Sequence, residues 1–185
     1  LTVTNATDID GTLAVAGNTL TLDGTSDIDG TITISTGTVD ANDTFDATGG
    51  FVTFTDAGNL NLFSTVTDLG TLSITNGTVI YDGVDQVVFS DDYYSLTAGG
   101  GAGTKTLGGE VTVSGDLTID TDVTIAMDTH LLTVTNATDI NGTLAVAGNT
   151  LTLDGGSDID GTITISTGTV DANGAFDATN GTITF

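Results

Sequence analysis

The chain has 185 residues, of which 25 are Asp or Glu and only one is Lys or Arg, for a formal net charge of −24. That charge excludes nucleic acid and anionic lipid as partners, because like charges repel over the whole surface. Apolar residues make up 38% and alternate, which excludes disorder; no apolar run reaches the length of a membrane span, and the absence of Cys excludes a disulfide scaffold.

From the N-terminus, residues 12–16 and 19–22 read as strands, with Leu13 and Val15, then Leu20 and Leu22, facing one side. Ile28, Ile32, Ile34, Val52, Phe54, Leu60, Leu62, Leu72 and Ile74 continue this apolar set, and Thr, Ser, Asn and Asp fill the other side. Gly, Asn and Asp separate the runs, and the expectation is that Gly and Asn supply left-handed corners there. No apolar helical spacing survives, so helix is excluded over nearly the whole chain.

Glycines mark coils of about 19 or 20 residues that begin at Gly11, Gly30, Gly50 and Gly70, and again at Ala102, Asp122 and Gly142. Each coil holds three short runs. A longer period of 131 residues lies above this: residues 1–54 and 132–185 differ at seven positions, among them Asp10/Asn141, Thr25/Gly156 and Phe51/Thr182. Residues 1–131 are therefore one unit, and 132–185 are the start of a second unit continuous with the first. The chain, which begins at Leu1, reads as an excerpt of a longer array.

Such triplets predict an all-β fold, a parallel β-helix or β-solenoid. Each strand pairs in parallel with its counterpart about 4.8 Å above it. The missing Pro fits, since strand interiors must donate to ladders. An antiparallel sandwich is the competing fold, but its strands need not recur as triplets with glycines in step. The residues do not set the hand; right-handed winding, the commoner form, is the expectation.

Residues 90–101, SDDYYSLTAGGG, break this rhythm and predict an irregular excursion: a shortened coil, a bulging loop or a seam. The stretch YYSLTAGGGAGTKTLGGEVTVSGDLTI, residues 93–119, is similar to a segment of the very long β-strand-repeat surface proteins of Gram-negative bacteria of the Bacteroidetes type. The Tyr-Tyr pair, the Gly-Thr-Lys-Thr-Leu-Gly-Gly run and the tail fall in order over about 27 residues. This resemblance implies a parallel β-helix and a role in adhesion, surface coating or filament building, with no catalytic residues to carry over. The near-exact 131-residue tandem departs from the family's looser pattern and favours a fibre over an adhesive tip.

Little in the residues points to catalysis. His130 starts a strand without Cys, Ser or an assignable carboxylate beside it, and the acids recur as ladders where active sites are singular. Asp-x-Asp-Gly occurs at Asp8–Gly11 and Asp27–Gly30, and stacking would set Asp8 above Asp27 and Asp10 above Asp29. Such rungs repel unless screened by salt or bridged by Ca²⁺, so these four are candidate Ca²⁺ ligands, although the full twelve-residue calcium loop is missing. No cofactor is required. Tyr93, Tyr94 and Lys105, with Tyr81 near them, are a candidate surface patch for lateral contact or sugar; alternatively the rings cover a Gly-rich corner. Thr-x-Thr pairs suggest an ice-binding face, but Ala14, Asp40, Asn61 and Ile80 interrupt it. Asn-x-Thr at Asn5, Asn42, Asn76, Asn136, Asn141 and Asn180 matches what chance produces in this composition.

The expectation is a secreted, non-enzymatic structural protein at the cell surface. It would be the stiff shaft of a filament, sheath or adhesin, whose partner is another copy stacked end to end or, secondarily, surface polysaccharide. The alternatives are a carbohydrate-, calcium- or ice-binding module and a polysaccharide-active enzyme.

Overall fold

The computed structural model describes residues 1–73 and 75–185; Ile74, placed in the apolar set above, lies outside the described residues. Among them there is no helix, and every strand pairing is parallel. The chain winds as a β-solenoid with three strands per coil. The antiparallel alternative is thereby excluded.

One face runs the full length as a ten-stranded sheet, from Thr2–Val3 to Phe176–Asp177. The other two faces each change sheet once. The second face is a four-stranded sheet from Thr7–Asp8 to Val66–Asp68, followed by a six-stranded sheet from Gln86–Val88 to Thr182–Thr184. The third is a four-stranded sheet from Thr12–Val15 to Thr71–Leu72, then a five-stranded sheet from Asp92–Tyr93 to Thr169–Ala172.

Alternation makes the core. Leu20, Val39, Leu60, Val79 and Leu96 stack in one inward column of the first face, and Leu22, Ala41, Leu62, Tyr81 and Ala98 in the next. A single coil cannot bury this surface; stacking does, and it shares the apolar interior between successive coils. The outward row between those columns reads Thr21, Asp40, Asn61, Ile80, Thr97, which is the mixed row expected from the interruptions.

Corner chemistry differs from expectation. Positive φ occurs at Gly49, Gly70, Gly77, Gly100, Gly101 and Gly148 and at Asp122 and Asp128, but at no Asn among the described residues. At Gly30, Gly50 and Gly161 the backbone has no such φ; a Cβ there would strike a carbonyl of the coil before. Close stacking of corners, more than handedness of the turn, explains these glycines. Corner Asn residues serve differently: Asn42 donates to Asp23 at 2.9 Å and Asn173 to Asp154 at 2.9 Å, each one coil down.

The second unit continues the column. Leu132–Val134 pairs on Val111–Val113, so its first strand sits on the last coil of the first unit. Equivalent strands nevertheless lie on different faces. Thr19–Leu22 is in the first face, while its counterpart Thr150–Leu153 is in the third. Ser26–Asp27 is in the second face and Ser157–Ile159 in the first, and Thr31–Ile34 in the third and Thr162–Ile165 in the second.

Candidate functional site: a polar seam

The place where two faces change sheet is the chemically distinctive part of the molecule. From Thr78 to Ser95 the coil takes 17 residues, against 19 for the coil before it and 21 for the coil from Leu96 to Leu117. Residues 90–95 fall in this short coil, and Asp92–Tyr93 and Ser95–Ala98 are strands within the column. Ser95–Ala98 stacks on Thr78–Tyr81 and carries Leu117–Ile119, because its alternate residues Leu96 and Ala98 are apolar and point inward.

The first face stays paired through the short coil, but the other two faces part there. No ladder links Val66–Asp68 to Gln86–Val88, or Thr71–Leu72 to Asp92–Tyr93, among the described residues. Backbone groups freed from a ladder need other partners. Four buried polar side chains fill this need.

Gln86 is buried and bridges the gap. Its amide donates to the carbonyls of Leu62 and Ser64, both at 2.8 Å, and its Oε1 accepts from the Gly83 N–H at 2.7 Å. Lys105 stacks directly above Gln86, inside the column, where Ile125, Leu144 and Ile163 follow in the same row. Its Nζ donates to the carbonyls of Gly83 and Val84. Burial lowers the Lys105 pKa, and Asp82 and Asp85 oppose that shift.

Tyr81 and Tyr93 complete the seam. Their rings meet edge to face with centroids 6.5 Å apart, and their hydroxyls lie 3.0 Å apart. Tyr93 donates to the Phe89 carbonyl at 2.6 Å, and Tyr81 accepts from the Phe89 N–H at 3.0 Å. The two hydroxyls thus do for Phe89 what a ladder neighbour does elsewhere. Burial pushes both phenols well above the usual value.

The expected surface patch of Tyr93, Tyr94 and Lys105 is corrected by this arrangement. Tyr93 and Lys105 are each 0% exposed, and Tyr94 alone reaches solvent. Strand alternation decides it: neighbours 93 and 94 face opposite ways, and position 105 falls on the inward phase of residues 103–107. Gln86 is not among the expected site residues, because an amide between Asp85 and Val87 carries no signal until the missing ladder is known.

Outside the seam cluster lies an open groove of about 600 Å³ lined by Phe63, Val66, Asp85, Val87, Thr104 and Thr106. Phe63, Val84, Val87 and Tyr94 are large apolar side chains left exposed around the same coil.

The acid ladder is longer than expected. Asp8, Asp27, Asp46 and Asp68 occupy successive rungs of the second face, and Asp139, Asp158 and Asp177 stack on the first. Asp27 and Asp158 are exposed; local loss of hydration, then Asp29, Asp46, Asp8 and Asp10, raise the pKa of Asp27, and Asp160, local loss of hydration, Asp177 and Asp139 raise that of Asp158. Hydrogen bonds from Thr179 lower that of Asp177. No group of three or more His, Cys, Asp or Glu side chains among the described residues is arranged to hold a metal ion. His130 lies in the turn before Leu132–Val134, its N–H bonded to the Met127 carbonyl at 3.0 Å.

Two outcomes follow from these groups. Folded Asp27 and Asp158 bind protons more readily than the unfolded chain, so their contribution rises as pH falls through the range just above the ordinary carboxylate value; the opposite holds for Asp177. Thermal melts should show Tm rising with NaCl between about 10 and 150 mM, as screening shortens from about 30 to 8 Å. Asp27→Asn should raise Tm and flatten that salt dependence; an unchanged slope would clear the ladder of any strain. For the phenols the sign is the same as for Asp27 and Asp158, in a higher pH range. Their raised values mean that stability present below about pH 10 is lost as pH rises beyond it. Tyr93→Phe should cost about 1–2 kcal/mol at neutral pH, because the Phe89 carbonyl loses its donor, and should weaken the alkaline loss in denaturant titrations.

No family model, curated protein or solved structure matches the chain.

Proposed function

We propose that the chain is a stretch of the stiff shaft of an extracellular filament, sheath or surface adhesin, built by tandem β-solenoid units and without catalysis. The observation that carries this reading is the uninterrupted stacking of the second unit on the first through Leu132–Val134 on Val111–Val113 and Thr138–Ile140 on Leu117–Ile119. A fold that adds coils without closing its ends extends with sequence length, and parallel ladders resist bending. The net charge of −24 keeps neighbouring rods apart. The partner is another copy of the same column, whether by tandem continuation or end-to-end stacking.

Electron microscopy of the native material tests it. Extended particles of constant width that advance about 4.8 Å per coil are expected; compact particles would overturn the reading. Ca²⁺ acts at most as a screening ion in this reading, so chelator should leave Tm unchanged within error, whereas a large fall would favour a calcium-dependent module. Digestion of acidic polysaccharide with release of new ends would favour an enzyme.

A second reading has one specific support, the seam groove. Its exposed Phe63 ring beside Asp85, Thr104 and Thr106 suits an amphipathic, uncharged ligand such as a neutral sugar. Titration with neutral oligosaccharides, and its abolition by Phe63→Ala, would support that reading; no heat or shift at millimolar sugar would end it.

A further inference from the structure

The unit does not contain a whole number of coils. Counting from Thr2 along the first face, six coils lead to Leu117–Ile119, and two further faces lead to Leu132–Val134, where the sequence of Leu1–Val3 returns. All three classes of strand agree on this offset. The Thr19–Leu22 type moves from the first face to the third, the Ser26–Asp27 type from the second to the first, and the Thr31–Ile34 type from the third to the second. One unit is therefore six and two-thirds coils, and each unit starts one face away from its predecessor.

We propose that an array of these units is a three-fold screw: each unit is turned by about a third of a revolution, and only every third unit repeats the orientation of the first. Three units close twenty whole coils, so the orientation recurs about every 96 Å, with a unit rise of about 32 Å. The proposal rests on the shaft reading for its extension beyond the two copies seen here.

The consequence lies in what each side of the rod displays. The seam, with its groove and its exposed Phe63, Val84, Val87 and Tyr94, comes once in the stretch between the two copies. In an array it faces three directions in turn. The acid ladder behaves likewise. Asp8, Asp27, Asp46 and Asp68 end on the second face, and the equivalent column restarts at Asp139 on the first. An integral number of coils would place these columns on one face, separated by the uncharged rungs Val87, Thr106 and Ala126. The fractional coil places successive columns on different faces and spreads the repulsion around the axis.

The absence of Cys makes the rotation directly measurable in this chain with paired spin labels. Thr21→Cys with Thr152→Cys joins equivalent positions, six and two-thirds coils apart on different faces; Thr21→Cys with Asp158→Cys joins positions seven coils apart on the same face. The expected result is a longer distance for the Thr21–Thr152 pair, despite its smaller axial separation. A shorter distance for that pair, as two in-phase units would give, overturns the proposal. Helical reconstruction of the native filament supplies the second readout: a rise of about 32 Å with a turn of about 120° is expected, and a turn near zero overturns it. If the native material forms no filament, the shaft reading fails while the label distances still decide the rotation.

Discussion

Gln86→Leu is expected to destabilise the protein by about 2–3 kcal/mol, measured by denaturant unfolding followed by circular dichroism. Leucine fills much the same volume, so the loss comes from hydrogen bonding and not from a cavity. The Ser64 carbonyl and the Gly83 N–H lose their side-chain partners, and the Leu62 carbonyl keeps only the Asp82 N–H at 3.1 Å. At an ordinary rung the Ser64 carbonyl and the Gly83 N–H would find the backbone of a neighbouring coil, but no ladder joins Val66–Asp68 to Gln86–Val88 among the described residues. Val87→Thr, one residue on and pointing to solvent, should change stability by less than about 0.5 kcal/mol. Equal effects at 86 and 87 would mean that the seam is not held by the amide.

Gly30→Ala carries the other large effect, about 3 kcal/mol, with Tm lower by roughly 6–12 °C. A Cβ at Gly30 would collide with the Gly11 carbonyl oxygen and lie 2.8 Å from that of Asp10. Both atoms are backbone at a packed corner, so neither can yield without shifting a coil. Gly161→Ala in the second unit, which faces the Gly142 carbonyl, should match Gly30→Ala. Neither glycine has a positive φ, so the expected loss comes from stacking and not from turn conformation.

The candidate site was legible only in part. The segment 93–119 stood out by resemblance and by its broken rhythm, and the structure puts the seam at its start. The roles of its residues were not legible. Tyr93 and Lys105 looked like surface groups because a phenol and an amine ordinarily seek water. They are inside because a column with a missing ladder has backbone groups to satisfy, and only long polar side chains reach them. The Asp8–Asp27 rung was foreseen from the 19-residue spacing, whereas Asp46 and Asp68 were not, since 46 lies in Phe-Asp-Ala and 68 follows a bulge in the register.

Sequence alone determined the class of fold, the three strands per coil, the inward set from Leu13 to Leu72 and the near-identity of the two copies. Those properties are local: a period of two sets the buried face, and a recurring glycine sets the corner. Tertiary structure decided which coil is short, which ladders part, and on which face each copy begins. These depend on the running sum of coil lengths, 19, 21 and 17 residues among them, and on where that sum leaves the chain around the axis. A difference of two residues is slight in a string of Thr and Gly, but in a stacked column it decides which neighbour lies above.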